Sequence, residues 1–369
     1  MAHAPLPATP HVDPAEALPP ARPYSARDLD ETRQLREHNA HIVTLDTRHG
    51  AGAILESAVR SARSALRATL IGPASRDRLA AVAEAQQVAG WLAFDADRQD
   101  LSRRLSTDAV HTARRAGDRS AEHFALSQLA MQAIHLRRPD QALGICATVL
   151  ADDLPPGVRT LFVMRRARAL NQYGEHAKAL DLIHETHSRH LQGAGPRDPA
   201  WAWWLDTAEI TWHHAMIHAD NGHWTRAIPL FEQAAAGRIP GSRTALNDHA
   251  YLLHALARTR TWPEAATLLH SRILPAHSTI ASPRITHLLT RTARSLTTPP
   301  PAHDLSHTLT TTLGLTPAPA RAVGRTRRDP KPDLSRLQRL RPVHRTVGPG
   351  EPAFEADAGE GPPRTHVGG

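Results

Sequence analysis

One spacing recurs five times along this chain, and it confines the fold. The clearest copy runs from Leu161 to His190. Ala167 is small where the first helix of an antiparallel pair must approach its neighbour, and Gly174 closes that helix. Ala179 is small where the second helix crosses back, and Leu180 and Ile183 supply its apolar stripe. Aligning on the small residue of the second helix gives Ser102, Ala142, Ala179, Ala227 and Ala265, separated by 40, 37, 48 and 38 residues. Twelve residues before each stand Gly90, Ala130, Ala167, Ala215 and Leu253. Five before, at the turn, stand Asp97, Arg137, Gly174, Gly222 and Arg260; four after stand Ser106, Cys146, Ile183, Phe231 and Leu269. Small residues let neighbouring helices approach closely, and the larger residue beyond fills the remaining gap. A single pair cannot bury both its faces, so each copy requires the next.

The pattern predicts an all-α fold: a right-handed solenoid of antiparallel helix pairs similar to tetratricopeptide (TPR) repeats, with disordered termini. Its periods exceed the usual ~34 residues, so loops or helices are longer than standard. The sequence divides into a disordered leader (1–24), an N-terminal helix pair (25–75), about five repeats (76–280), capping helices (281–315) and a disordered tail (316–369). Ser25 is the expected cap of the first helix. Ser282 to Leu296 and His303 to Leu315 are the expected capping helices. Gly- and Pro-containing breaks at 116–118, 154–157, 193–196 and 239–242 stop one helix and start another. Pro139 and Pro263 fall at helix starts, where the missing N–H costs nothing, but Pro229 falls inside a second helix and should kink it or delay its start.

Aromatics make up only 4% of the chain, while Ala, Leu and Arg dominate; that mix favours helices over sheets. The single cysteine, Cys146, excludes an internal disulfide and fits a reducing cytoplasmic setting. No apolar run reaches the ~18 residues of a membrane span, and the N-terminus has no signal-peptide core. Charge is uneven. Of a net +8, residues 321–345 contribute +7, residues 346–369 contribute −3 and residues 1–320 only +4. The basic character therefore belongs mainly to the tail. The 25 His and 30 Pro, with Lys178 and Lys331 the only lysines, have the look of a GC-rich genome, which accounts for many His and Arg clusters without any function.

Two boxes carry a resemblance. Val88-Ala89-Gly90-Trp91-Leu92-Ala93-Phe94-Asp95 is similar to a Leu-Ala-Gly-Trp-x-Ala-x-Asp box, and Leu45-Asp46-Thr47-Arg48-His49-Gly50 to a Leu-Asp-x-Arg-x-Gly run. Both occur in the helical C-terminal region of actinobacterial transcriptional regulators of the Cro/repressor helix-turn-helix class. Residues 26–275 resemble that region. Family members place a DNA-binding helix-turn-helix before it. Here 24 residues precede it, so the resemblance implies a TPR-like sensing or dimerisation module without the DNA-binding domain.

The expected site is the concave face lined by first helices. Trp91, Arg168, Asn171, Gln172, Asp220, Asn247 and His254 are its polar or aromatic candidates, and their mixture of donors and acceptors suits an extended peptide. The expected function is thus a non-enzymatic protein- or peptide-binding or sensor module in bacterial regulation, with a second copy of the chain as another candidate partner and no membrane partner. Two alternatives stand. The cationic tail, including Arg325, Arg327, Arg328, Arg336 and Arg339, suits phosphate neutralisation of nucleic acid. The Trp/His-rich repeat at 198–237 (Trp201, Trp203, Trp204, Trp212, Trp224; His213, His214, His218) suits a small-molecule or metal sensor. His214 and His218 have ligand spacing, but no glutamate accompanies them as a zincin base, and His184, His187 and His190 drift around their helix. No metal or cofactor is assigned from sequence. Cys146 lacks a setting that would activate it, and no catalytic constellation is present.

Overall fold

The computed structural model describes residues 26–71, 74–193, 195–296 and 300–314. Among them there is no strand. The helices form successive pairs: α1 (Ala26–His49) with α2 (Leu55–Ile71), α3 (Arg76–Asp95) with α4 (Gln99–Ala116), α5 (Arg119–His135) with α6 (Pro139–Leu150), α7 (Pro156–Gln172) with α8 (His176–Leu191), and α9 (Thr207–Asp220) with α10 (Trp224–Ala236). α11 (Arg243–Thr259) pairs with α12 (Trp262–Leu268), which a π-helical turn at Leu269–Ile273 joins to α13 (Leu274–His277); α14 (Pro283–Ser295) and α15 (Pro300–Thr312) follow. A 3-10 turn, Ala200–Trp204, precedes α9. The leader, the cap expected at Ser25 and the tail with its arginines lie outside the described residues.

The helix starts follow from capping. Ser75, Asp118, Asp206, Ser242 and Ser282 each accept from a backbone N–H in the first turn of α3, α5, α9, α11 and α14, supplying partners that helix N-termini otherwise lack. Pro139 opens α6 and Pro263 sits in the first turn of α12. α10 runs through Pro229 from a start at Trp224, ahead of it. Pro229 is exposed, so water can reach the carbonyl left unpaired four residues earlier.

The five-fold alignment is visible in the backbone. Its turn position has positive φ in every copy: Asp97 57°, Arg137 56°, Gly174 90°, Gly222 74° and Arg260 61°. This left-handed residue ends the first helix and reverses the chain into the second. Three of the five are not glycine, and each of those carries the cost of that conformation. All residues at the three other aligned positions are buried. Gly90 also answers a close approach, since a Cβ there would lie 2.8 Å from Ser106 Oγ on the partner helix.

Besides packing in pairs, first helices touch one another: α1 with α3, α3 with α5, α5 with α7, α7 with α9, and α11 with α14. They form an inner layer, and this is where the fold departs from an open solenoid. α11 also contacts α1, and α14 contacts α3. The Gly52 N–H donates to Ala281 O at 2.9 Å, and the Ala281 N–H donates to His49 O at 2.8 Å. A Cβ at Gly50 would sit 2.6 Å from Ala281 O, so the chain approaches here only because that residue is glycine. α14 therefore does more than cap the last repeat; it docks across to the first ones, and the superhelix closes on itself.

Gly174→Ala and Gly144→Ala separate backbone strain from helix propensity. Both sites have open space around a new Cβ, but Gly174 has positive φ while Gly144 lies inside α6. Chemical denaturation should show Gly174→Ala less stable by about 1 kcal/mol and Gly144→Ala more stable by about 0.5–1 kcal/mol.

Candidate functional site

The closed inner layer buries charge. Asp46 on α1 accepts from Trp91 Nε1 of α3 at 2.9 Å and from Arg243 Nε of α11 at 3.1 Å. The Arg243 guanidinium also lies over the Trp91 ring, 4.7 Å from its centre. Asp95 on α3 accepts from Ser282 Oγ at 2.9 Å and from Arg284 of α14 at 3.0 Å. Arg284 also donates to Asn247 on α11. The two boxes singled out in the sequence thus meet each other and the far end of the solenoid. At the rim, His287 pairs with Asp97.

A second cluster continues from the first. Arg238, just past α10, donates to Asp248 at 2.8 Å and to Glu209 at 2.8 Å. His213 sits between α7 and α9. Its Nδ1 faces Arg168 at 3.1 Å, and its Nε2 faces both Arg165 at 2.9 Å and Glu209 at 3.3 Å. Arg168 continues to Asp220, which Arg137 also holds. Carboxylates and guanidiniums alternate through the layer, because charges taken out of water persist only when paired.

Burial sets the ionisation of these groups. Asp46 lies above its ordinary range, since burial and the nearby Asp95 outweigh Arg243 and Trp91. Burial likewise raises Asp248 to about 6 despite Arg238. Burial would raise Glu209 too, but His213, Arg238 and Arg165 overcome it and hold it below the carboxylate range. Burial lowers Arg165 to about 10, and lowers His213 to about 3 with help from Arg165 and Arg168.

Each residue expected to line the groove lies on a first helix, and each reaches another inner element. Trp91, Arg168 and Asp220 belong to the networks above. Asn171 donates to Ile217 O on α9 at 3.3 Å, and Gln172 donates to Ile134 O on α5 at 2.9 Å. Asn247 bonds Asp248 and Arg284, and His254 bonds Thr292 at 2.9 Å. The structure brings Trp91 together with Asp46 and Arg243, and Arg168 together with Asp220; Gln172 and His254 stand apart from both. The residues that sequence reasoning missed are Asp46, Asp95, Arg165, Glu209, Arg238, Arg243, Asp248 and Arg284. Asp46 and Asp95 were visible only as letters in the two boxes.

The tryptophans do not share one pocket. Trp201 stacks on Phe124 with ring centres 4.5 Å apart, Trp212 meets Tyr251 edge-on, Trp224 packs on His254, and Trp203 is 70% exposed. Cys146 is fully buried, and that burial pushes its thiol up to about 12. A surface cleft between α4, α5 and α6 carries Arg114, Arg119 and Glu122, whose charges are spent on one another.

Several side-chain atoms of the first helices are buried without a hydrogen-bond partner. Among them are the donors Gln87 Nε2, Arg165 Nε, Arg168 Nε, Trp212 Nε1 and Arg284 Nε and the acceptors Asp46 Oδ1, Gln86 Oε1, Asp95 Oδ2 and Gln172 Oε1. Buried polar atoms are otherwise almost always paired, so such a set points to water or ligand. No family model matches this chain, and no curated protein sequence matches it. No described helix is long and apolar enough to cross a membrane.

Two outcomes are expected. Arg243→Ala leaves Asp46 buried without its counter-charge and should cost about 3–5 kcal/mol, whereas the double variant Asp46→Leu/Arg243→Leu should recover most of it in denaturant titrations. Stability should also fall with acid. His213 at about 3, and His135 and His254 at about 4, stay neutral in the fold where the unfolded chain binds protons near 6.5. Their contribution is full above that value and is lost as pH falls from 6.5 towards 4; Asp248, raised to about 6, opposes them. His213→Gln should remove about one proton from the slope of stability against pH, up to about 1.4 kcal/mol per unit.

Proposed function

We propose that this chain is a non-catalytic sensor or interaction module that works in the cytoplasm as part of a regulatory system. Its ligand is a peptide-like segment taken against the first helices. The reading includes the likeness to the TPR-like sensing region of helix-turn-helix regulators. The observation that carries it is the mixed set of unpaired buried donors and acceptors on α1, α3, α7, α9 and α14. An extended peptide presents the complementary alternation of C=O and N–H. Closure through ion pairs and hydrogen bonds also favours the reading, because a ligand supplying equivalent polar partners can take the place of such contacts, whereas a dry apolar seam offers nothing to exchange. A ligand of this kind stabilises whichever arrangement it binds best and shifts the population towards it.

Gln86 and Gln87 provide the test. Both are buried on α3, and each has an unpaired side-chain atom. The double variant Gln86→Met/Gln87→Met should be more stable than the parent by about 1–3 kcal/mol, because it removes unsatisfied polar groups without a large volume change. It should also lose ligand. Native mass spectrometry of the full chain purified from its host should show a bound peptide on the parent and none on the variant. A parent free of ligand, together with a variant less stable than the parent, would contradict the proposal.

A further inference from the structure

Three histidines that are far apart in sequence converge at the edge of the inner layer. His176 is the first residue of α8, His218 lies in the last turn of α9, and His223 immediately precedes α10. One ring nitrogen from each lies within 4.8 Å of those of the other two. We infer that His176, His218 and His223 form a binding site for a divalent transition-metal ion of the imidazole-preferring class, with Zn2+ the representative.

Three observations favour a site over a chance cluster in a His-rich chain. First, His218 is only 7% exposed, yet its Nδ1 has no hydrogen-bond partner. A buried imidazole nitrogen without a partner is a costly arrangement in a merely structural histidine. Second, His176 is oriented from behind, its Nδ1 lying 3.0 Å from both Asn171 Oδ1 and Asn221 Nδ2. Neighbouring hydrogen-bonding groups of this kind fix the ring orientation of metal-bound histidines. Third, the turn between α9 and α10 fixes two of the ligands relative to each other. The His223 N–H donates to His218 O at 3.0 Å, and Gly222 between them has a φ of 74°.

The chemistry follows from the donor set. Three imidazoles and no carboxylate suit Zn2+, Ni2+ and Cu2+ and give no hold on Mg2+ or Ca2+, which demand oxygen. Nitrogens on a tetrahedral zinc stand roughly 3.3 Å apart, given Zn–N of about 2.0–2.1 Å. The side chains must therefore close by about 1 Å, and exposed His223 has the freedom to do so. A three-histidine site leaves a fourth position open for water or an incoming group. Arg226, whose charge acts on both His176 and His218, opposes a dication, so the site is weaker than a closed four-ligand one. Because His176 and His218 belong to successive helix pairs, the ion bridges two repeats. Asn171 carries the same connection inward, through its bond to Ile217 O.

The test uses the untagged full chain, titrated with Zn2+ by calorimetry and with Co2+ by visible absorption. The expected result is one equivalent of Zn2+, with Co2+ giving the ligand-field bands of a four-coordinate ion. His223→Gln, an exposed change that leaves the fold intact, and His176→Gln should each weaken Zn2+ binding by at least about ten-fold. Arg226→Gln should strengthen it several-fold. Circular dichroism melts without metal confirm that each variant is folded. The neighbouring histidines give the control: His184 and His214 have ring centres 5.1 Å apart, and His184→Gln/His214→Gln should leave affinity unchanged. The inference is overturned if the parent binds no Zn2+. It is equally overturned if His176→Gln and His223→Gln bind as the parent does, or if affinity is lost in the His184/His214 variant instead.

Discussion

Asp46 and Asp95 are carboxylates removed from water near the start of the chain, and the guanidiniums that answer them, Arg243 and Arg284, come from near the end. Neither half of either pair is stable in its buried position without the other. The rest of the arrangement depends on this meeting. It brings α11 against α1 and α14 against α3, joins the backbone at Gly52 and Ala281, and turns a row of helix pairs into a closed body whose inner layer is polar. A stack of pairs that lacked these charges would bury its apolar faces equally well and stay open.

The closure explains a division of labour between helices. The middle first helices are buried on most sides: α3, α5, α7 and α9 combine apolar residues towards their partners with polar ones towards the inside, such as Gln132, which donates to Gln99 O, and Arg168. Second helices such as α8 and α10 bury one stripe, Ala179 and Ile183 or Ala227 and Phe231, and leave the remainder to solvent. The interior is therefore polar, with paired charges holding the layer together and unpaired donors and acceptors left within it. A layer that is strong when fully satisfied and costly when partly satisfied gains more from a matching ligand than an apolar groove would.

The local grammar of the fold was legible in the sequence and its global closure was not. The turn position is recognisable even at Asp97, Arg137 and Arg260, where no glycine marks it, because the packing residue seven before and the small residue five after define the register. Helix starts at Pro139 and Ser282 were readable for the same reason: caps and prolines act within one turn. The pairs Asp46–Arg243 and Asp95–Arg284 are separated by 197 and 189 positions. No periodicity links residues at that distance, and an Asp inside a helix reads as solvated until its partner is known. The histidines teach the same lesson. His214 and His218 drew notice by helical spacing, whereas the nitrogens that converge on His218 belong to His176, a full repeat earlier, and to His223, across a turn. The π-helical turn at Leu269–Ile273 left no sequence signature at all.

The central claim is that the solenoid is closed in solution by contact between its first and last repeats. Paired cysteines at positions 52 and 281 test it most directly. A Cβ built on Gly52 lies 2.8 Å from Ala281 Cβ, so a shift of under about 1 Å reaches disulfide geometry, and Cys146 is buried away from the reaction. The account predicts that Gly52→Cys/Ala281→Cys forms an intramolecular disulfide on mild oxidation, seen as a faster band in non-reducing electrophoresis that reverts with reductant. A folded double variant whose two thiols stay free would show that the ends stand apart and would contradict it.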